Sequence, residues 1–93
     1  KIKKMKIILE LFGASRDFSK NDYLEFEIND QTSIKGFKEI LSTFIDKKFK
    51  GNVDFKKIID SSAFCSEKNE IISDNYKILK EQKIGIIPPI GGG

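Results

Sequence analysis

Apolar residues in the first part of the chain fall on alternate positions. Met5, Ile7, Leu9 and Leu11 share one side of an extended segment, and Lys6, Ile8, Glu10 and Phe12 share the other, which predicts a strand that Gly13 ends. After the turn cluster Ser19-Lys20-Asn21-Asp22, the stretch Tyr23 to Ile28 alternates again, with Leu24, Phe26 and Ile28 inward. The simplest pairing of these two strands is a hairpin. Asn29 to Gln31 form a second turn, after which the period becomes helical: Ile34, Phe37, Ile40, Leu41, Phe44 and Ile45 make one apolar stripe. Thr32 or Ser33 is placed to cap this helix, Lys47 and Lys48 suit the negative end of its dipole, and Gly51-Asn52 marks its end. Gly36 weakens the helix by about 0.5 to 1 kcal/mol relative to alanine, and close packing against the sheet is the expected reason for it.

Beyond the helix the pattern is shorter in range. Val53, Phe55, Ile58 and Ile59 fit either a helical turn or the lead into a strand. Ile59 to Cys65 and Ile71 to Ile72 read as short strands around the polar Ser66 to Glu70 turn, and Lys83 to Ile87 as the last strand. The order strand, strand, helix, strand, strand, strand resembles the β-grasp, or ubiquitin-like, fold. That is an α+β architecture in which a mixed sheet packs on one main helix, and the resemblance implies that the first and last strands are central and parallel. Residues 1–87 then form the domain and residues 88–93 an extended, flexible tail.

That tail is the most distinctive stretch. Pro88 and Pro89 stiffen the exit from the last strand, and Ile90-Gly91-Gly92-Gly93 continues to a carboxylate with almost no side chain in the way. Fully extended, the segment after Pro88 reaches on the order of 15 Å from the folded body, so it can be threaded through a narrow channel. A glycine run is also what an unstructured end or a cloning scar looks like. The strand that feeds the tail argues against that reading, because it gives the tail a fixed origin and direction. At the other end the chain opens on lysine, so Met5 is a candidate start and no function is expected of Lys1 to Lys4.

Composition narrows the chemistry. The 93 residues include no histidine and a single cysteine, so the usual metal sites and histidine-based acid/base or nucleophile-activating sites have almost nothing to be built from. A self-contained hydrolase is not expected on those grounds, and Asp17, Asp22 and the other acids show no metal-ligand spacing. Cys65 can form no internal disulfide, which fits a reducing, cytoplasmic setting. It reads as a small buried hydrophobe rather than a sulfur relay. Eight phenylalanines with the isoleucines and leucines suffice for a small core. No apolar run is long enough to span a bilayer, so no membrane partner is expected. The net charge of +3 comes from scattered lysines with one arginine, Arg16, a pattern of solvated faces rather than of a nucleic-acid interface.

Two motifs carry a closer resemblance. Phe12-Gly13-Ala14-Ser15-Arg16-Asp17 at the end of the first strand, with Pro88-Pro89-Ile90-Gly91-Gly92-Gly93 at the chain's end, resembles the small, sulfur-carrying subunit of molybdopterin synthase. The resemblance extends over nearly the whole chain from Met5. It departs in the turn before the last strand, where Glu81-Gln82 replaces a usual Gly-Asp, and in a longer Ser66 to Tyr76 region. What it implies is a carrier that is not an enzyme on its own and binds no cofactor stably. An E1-like partner uses ATP to convert the Gly93 carboxylate into an acyl-adenylate, and sulfur then replaces the adenylate to leave a thiocarboxylate. The loaded tail, Pro88 to Gly92 threaded, enters the large synthase subunit, with which the family forms a heterotetramer, and gives sulfur to a cyclic pyranopterin phosphate. The sulfur carrier of thiamine thiazole synthesis and protein modifiers joined to lysines use the same kind of tail, and a small RNA- or protein-binding domain with an inert tail is the alternative of another class.

Strand parity suggests the docking surface. If Ile7, Leu9 and Leu11 face the helix, then Ile8, Phe12 and Ile87 lie on the open face of the sheet near the tail, an apolar patch larger than a monomer needs. The competing expectation is that the chain's own loops cover Phe12 or Ile87. Arg16 either pairs with a partner carboxylate, anchors the first loop or is simply solvated.

Overall fold

The computed structural model describes residues 3–90. Strands β1 (Lys4–Leu11) and β2 (Tyr23–Asn29) form the expected antiparallel hairpin, joined by a two-turn 3-10 helix at Gly13–Phe18 that the periodicity did not announce. Then come a two-residue strand β3 (Thr32–Ser33), helices α1 (Ile34–Phe49) and α2 (Val53–Ser61), and strands β4 (Ala63–Cys65), β5 (Ile71–Ile72), β6 (Lys77–Ile78) and β7 (Gln82–Ile87). The main sheet runs β2-β1-β7-β4-β5, with β1 and β7 parallel and the other pairs antiparallel. It is the mixed sheet of a ubiquitin-like β-grasp, with β7 in the middle. A small second sheet pairs β3 with β6.

Alternation decides which face of β1 is covered. Met5, Ile7, Leu9 and Leu11 are buried, with Ile84 and Ile86 of β7 and Ile28 of β2 beside them in one core. Helix α1 lies on that face. Ser33 caps it by accepting the Gly36 N–H at 3.1 Å, and the next free N–H groups, of Ile34 and Lys35, donate to the carbonyls of Tyr76 and Asp74. The segment before β7 is thereby tied to the start of the helix, and the Lys38–Asp74 ion pair at 2.8 Å lies at the same place. At the other end Lys50 and Gly51 both take left-handed backbone angles, and the Gly51 N–H returns to the Ile45 carbonyl.

Seven of the eight phenylalanines form one chain of ring contacts. It runs from Phe64 on β4 through Phe37, Phe26, Phe44, Phe49 and Phe55 to Phe18 in the 3-10 helix, with centroids 4.9 to 6.4 Å apart and mostly edge to face. Each such pair is worth about 0.5 to 1.5 kcal/mol beyond the area it buries. Phe37 touches Phe26 of β2 and Phe64 of β4, so α1 spans the sheet from one side to the other. The eighth, Phe12, stands apart from this chain.

One open alternative is decided and two expectations need correction. The stretch from Val53 is helix α2, which Asn52 starts by accepting the Phe55 N–H at 3.1 Å. Its apolar side is Phe55, Ile58 and Ile59, a spacing of three and one that a strand would scatter over both faces. Consequently Ile59 to Ser61 end a helix, and the strand expected from Ile59 begins only at Ala63. Gly36 packs not on the main sheet but on β3, which leads into the helix: a Cβ there would meet Thr32 Cγ2 at 3.3 Å and Ser33 Oγ at 3.5 Å, so the room it leaves is for the residues that start the helix.

Candidate functional site

The site of interest begins where β1 and β7 end side by side. Leu11 pairs with Ile86, so the chain after β1 and the chain after β7 leave the sheet at the same rim. Gly13 turns the first of them with a φ of +57°, a region where a side chain is strained. The second presses on that turn: the position a Gly13 Cβ would take lies 3.8 Å from Pro88 Cδ, and Pro88 is buried. Pro89 is exposed and Ile90 is 95% exposed, so the free chain begins after a proline wedged into the body. Gly91, Gly92 and Gly93 lie outside the described residues.

Phe12 is held at this rim from behind. The hydroxyl of Ser15, which is wholly buried, accepts the Phe12 N–H at 3.0 Å and donates to the Phe12 carbonyl at 2.6 Å. The ring is thereby turned onto the open sheet face, over Gly85, and stays 40% exposed. Gly85 is needed for the fit: a Cβ there would stand 2.8 Å from Cys65 Sγ and 3.2 Å from Phe12 Cε2. Cys65, 7% exposed, is therefore a wall of this contact on β4, on the same face of the sheet as Phe12.

The structure splits the expected docking trio. Ile87, half-buried, follows Ile86 at the rim where Phe12 leaves β1, one residue before Pro88. Ile8 pairs with Lys83, four residues earlier on β7, which places it roughly 13 Å along the strand from Ile87. Glu10, paired with Gly85, lies between. Ile8 instead sits in the floor of a shallow concavity of about 700 Å³ on the open face, with Tyr23 and Glu25 of β2 and Lys83 of β7 in its walls. A smaller depression of about 230 Å³, lined by Phe12, Cys65 and Gly85, adjoins it through Glu10, Glu67 and Lys83. Arg16 is exposed in the 3-10 helix, lines neither hollow and enters neither ion pair of the described residues. Sequence reasoning missed Ser15, Gly85 and Tyr23. Tyr23 was legible from parity, since it shares the side of β2 that holds Glu25 and Glu27; the other two needed the fold.

No protein-family model matches the chain, and no curated protein matches it in sequence. Solved structures do match in shape. They include a ubiquitin of Caldiarchaeum subterraneum, with a TM-score of 0.61 and 15% identity over 98% of this chain and all of that one. A protein of Pyrococcus furiosus described as subunit 1 of a molybdopterin converting factor gives 0.67 and 16% over 92% of this chain and 99% of that one. SAMP1 of Haloferax volcanii gives 0.66 and 11% over 95% and 99%. Identities this low establish the fold, a ubiquitin-like β-grasp. Among the described residues no helix is long and apolar enough to cross a membrane.

Proposed function

We propose that the chain is a ubiquitin-like sulfur carrier, whose acting form has Gly93 at its carboxyl end and donates sulfur during molybdopterin synthesis. One observation carries the reading: the central strand β7 runs without a loop into Pro88, which is buried against Gly13, and the chain is exposed at Pro89 and Ile90, which precede three glycines in the sequence. A reacting group on such an arm has a fixed origin and a slim approach. The similarity in shape to a molybdopterin converting factor subunit supports the choice of pathway.

The chemistry this asks of the carrier is small. A carboxylate resists attack until one of its oxygens becomes a good leaving group. In a partner of the E1-like type, a Gly93 carboxylate oxygen attacks the α-phosphorus of ATP and diphosphate leaves. Sulfide delivered by a donor then attacks the carbonyl carbon and AMP leaves with the oxygen, giving the thiocarboxylate. The carrier supplies no acid, base or metal, in keeping with a sequence that has no histidine. Its contributions are the arm, which brings the sulfur beside its acceptor, and a docking rim at Phe12 and Ile87, with Arg16 close by in sequence to pair with a partner carboxylate. The large subunit of the synthase is the partner that receives the loaded arm.

The likeness to a ubiquitin favours a second reading, in which the activated Gly93 is joined to a lysine amine instead. Removing Gly92 and Gly93 tests the arm in both readings. The truncated chain should keep its melting temperature and lose every transfer reaction; a truncated chain that retains its cellular role would assign that role to the folded domain alone.

A further inference from the structure

The hollow on the open sheet face has a charge opposite to that of the whole protein. Five carboxylates line it, those of Glu10, Asp22, Glu25, Glu67 and Glu81, against the ammonium groups of Lys6 and Lys83. The chain as a whole is +3. Its other lysines include the exposed Lys35, Lys47, Lys48 and Lys57 on the helices, which lie on the opposite side of the sheet. Both ion pairs of the described residues, Lys38–Asp74 and Lys56–Asp46, are also outside the hollow. Two of its carboxylates are fixed in place: Glu81 accepts the Lys6 N–H at 2.9 Å and Glu67 the Lys83 N–H at 3.3 Å. Hydrogen bonds of this kind orient a carboxylate without cancelling its charge.

The floor is apolar. Ile8 is half-buried there, and the Tyr23 ring beside it is 44% exposed. An unpartnered sheet face with an apolar floor and an acidic wall fits a particular side chain. Arginine has a planar guanidinium that bonds carboxylates in pairs and lies flat on an aromatic ring, over a stem that covers apolar surface. We infer that this hollow docks an arginine-bearing segment of a partner protein. The hollow shares β7 with the arm, and its floor at Ile8 lies toward the strand's opposite end, roughly 13 Å from Ile87. A partner can therefore grip the sheet there while its active site holds the arm. That the partner is the enzyme that takes the arm rests on the carrier reading; the docking itself does not.

The test is a titration of the isotope-labelled full chain, and of the chain lacking Gly92 and Gly93, with a short arginine–glycine repeat peptide, followed by amide chemical shifts. Shifts should concentrate at Ile8, Glu10, Tyr23, Glu25 and Lys83 in both chains and leave the helical lysines unmoved. The variant Glu10→Gln/Glu25→Gln, near-isosteric and expected to melt like the parent, should bind roughly tenfold more weakly, the summed effect of one exposed and one half-buried charge contact. Raising salt from about 0.05 M to about 0.5 M should weaken the parent's binding and narrow its margin over the variant. A glutamate–glycine peptide should move none of these amides. Shifts scattered over the surface, or an affinity the double variant does not change, would overturn the inference. Self-association of the parent without peptide, abolished in the double variant, would also overturn it, by assigning the hollow to the lysine-bearing helical face of a second copy. Peptide binding that persists where no activating enzyme modifies Gly93 would sink the carrier reading and leave the docking intact.

Discussion

At the rim of the sheet, single atoms decide whether the surface is usable. A Gly85→Ala Cβ would collide with Cys65 Sγ at 2.8 Å and crowd the Phe12 ring at 3.2 Å. The ring, at the surface, can move; the buried sulfur cannot easily do so. Gly85→Ala should therefore destabilise the fold by about 1 to 3 kcal/mol in urea unfolding, the usual range for overpacking. Adding Cys65→Ala to it should recover part of the loss, since that change removes the sulfur; a double variant no better than the single one would show that Phe12, not Cys65, is the obstacle. Ser15→Ala leaves the Phe12 N–H and carbonyl without their buried partner and should cost about 1 to 3 kcal/mol, with faster hydrogen exchange at Phe12 as its local mark. Neither Ser15 nor Gly85 could be singled out in the sequence, because nothing near Gly85 in the chain tells which ring or sulfur lies above it. Phe12 was legible: its parity with Ile8 and Glu10 put it on the face away from the helix.

Elements long enough to show a period were read correctly; among the short ones β5 was found at Ile71–Ile72, while β3, β6 and the full extent of α2 were not. β1 and β2 alternate over seven residues or more and α1 repeats its stripe over 16 residues, so each declared its type and its buried side. α2 has nine residues, little more than two turns, and a single spacing of three and one is too short a repeat to declare a helix by itself. The deciding signal was Asn52, a helix-starting residue three positions before Phe55. Asn52→Ala should lower stability by about 0.5 to 2 kcal/mol, measured by thermal unfolding, and a change within error would mean that the aromatic contacts of Phe55 with Phe18 and Phe49 hold α2 alone. β3 and β6, two residues each, exist only because their partners are present. They fix the approach to β7, and so the direction of the arm.

Over the whole molecule, one side of the sheet is filled and the other is left open for use. Seven phenylalanines with Ile84 and Ile86 of β7 join the sheet to two helices, while Phe12, Tyr23 and Ile8 remain on a face with an acidic hollow and with the arm at its rim. A domain this size buries only about two-thirds of its chain's surface, and exposing aromatic rings without use would sacrifice core it can ill spare. The account predicts that both the arm and this face meet the same partners. Phe12→Ala should weaken transfer to them without loss of more than about 1 kcal/mol of stability, since the ring is 40% exposed already. The most direct measurement is the intact mass of the purified protein after incubation with an E1-like activating enzyme, ATP and a sulfur donor, beside a variant lacking Gly93. A carrier gains the mass of one oxygen exchanged for sulfur, and the variant gains nothing. No gain with several competent activating enzymes, or the same gain in the variant, would contradict the assignment of Gly93 as the group that carries the sulfur.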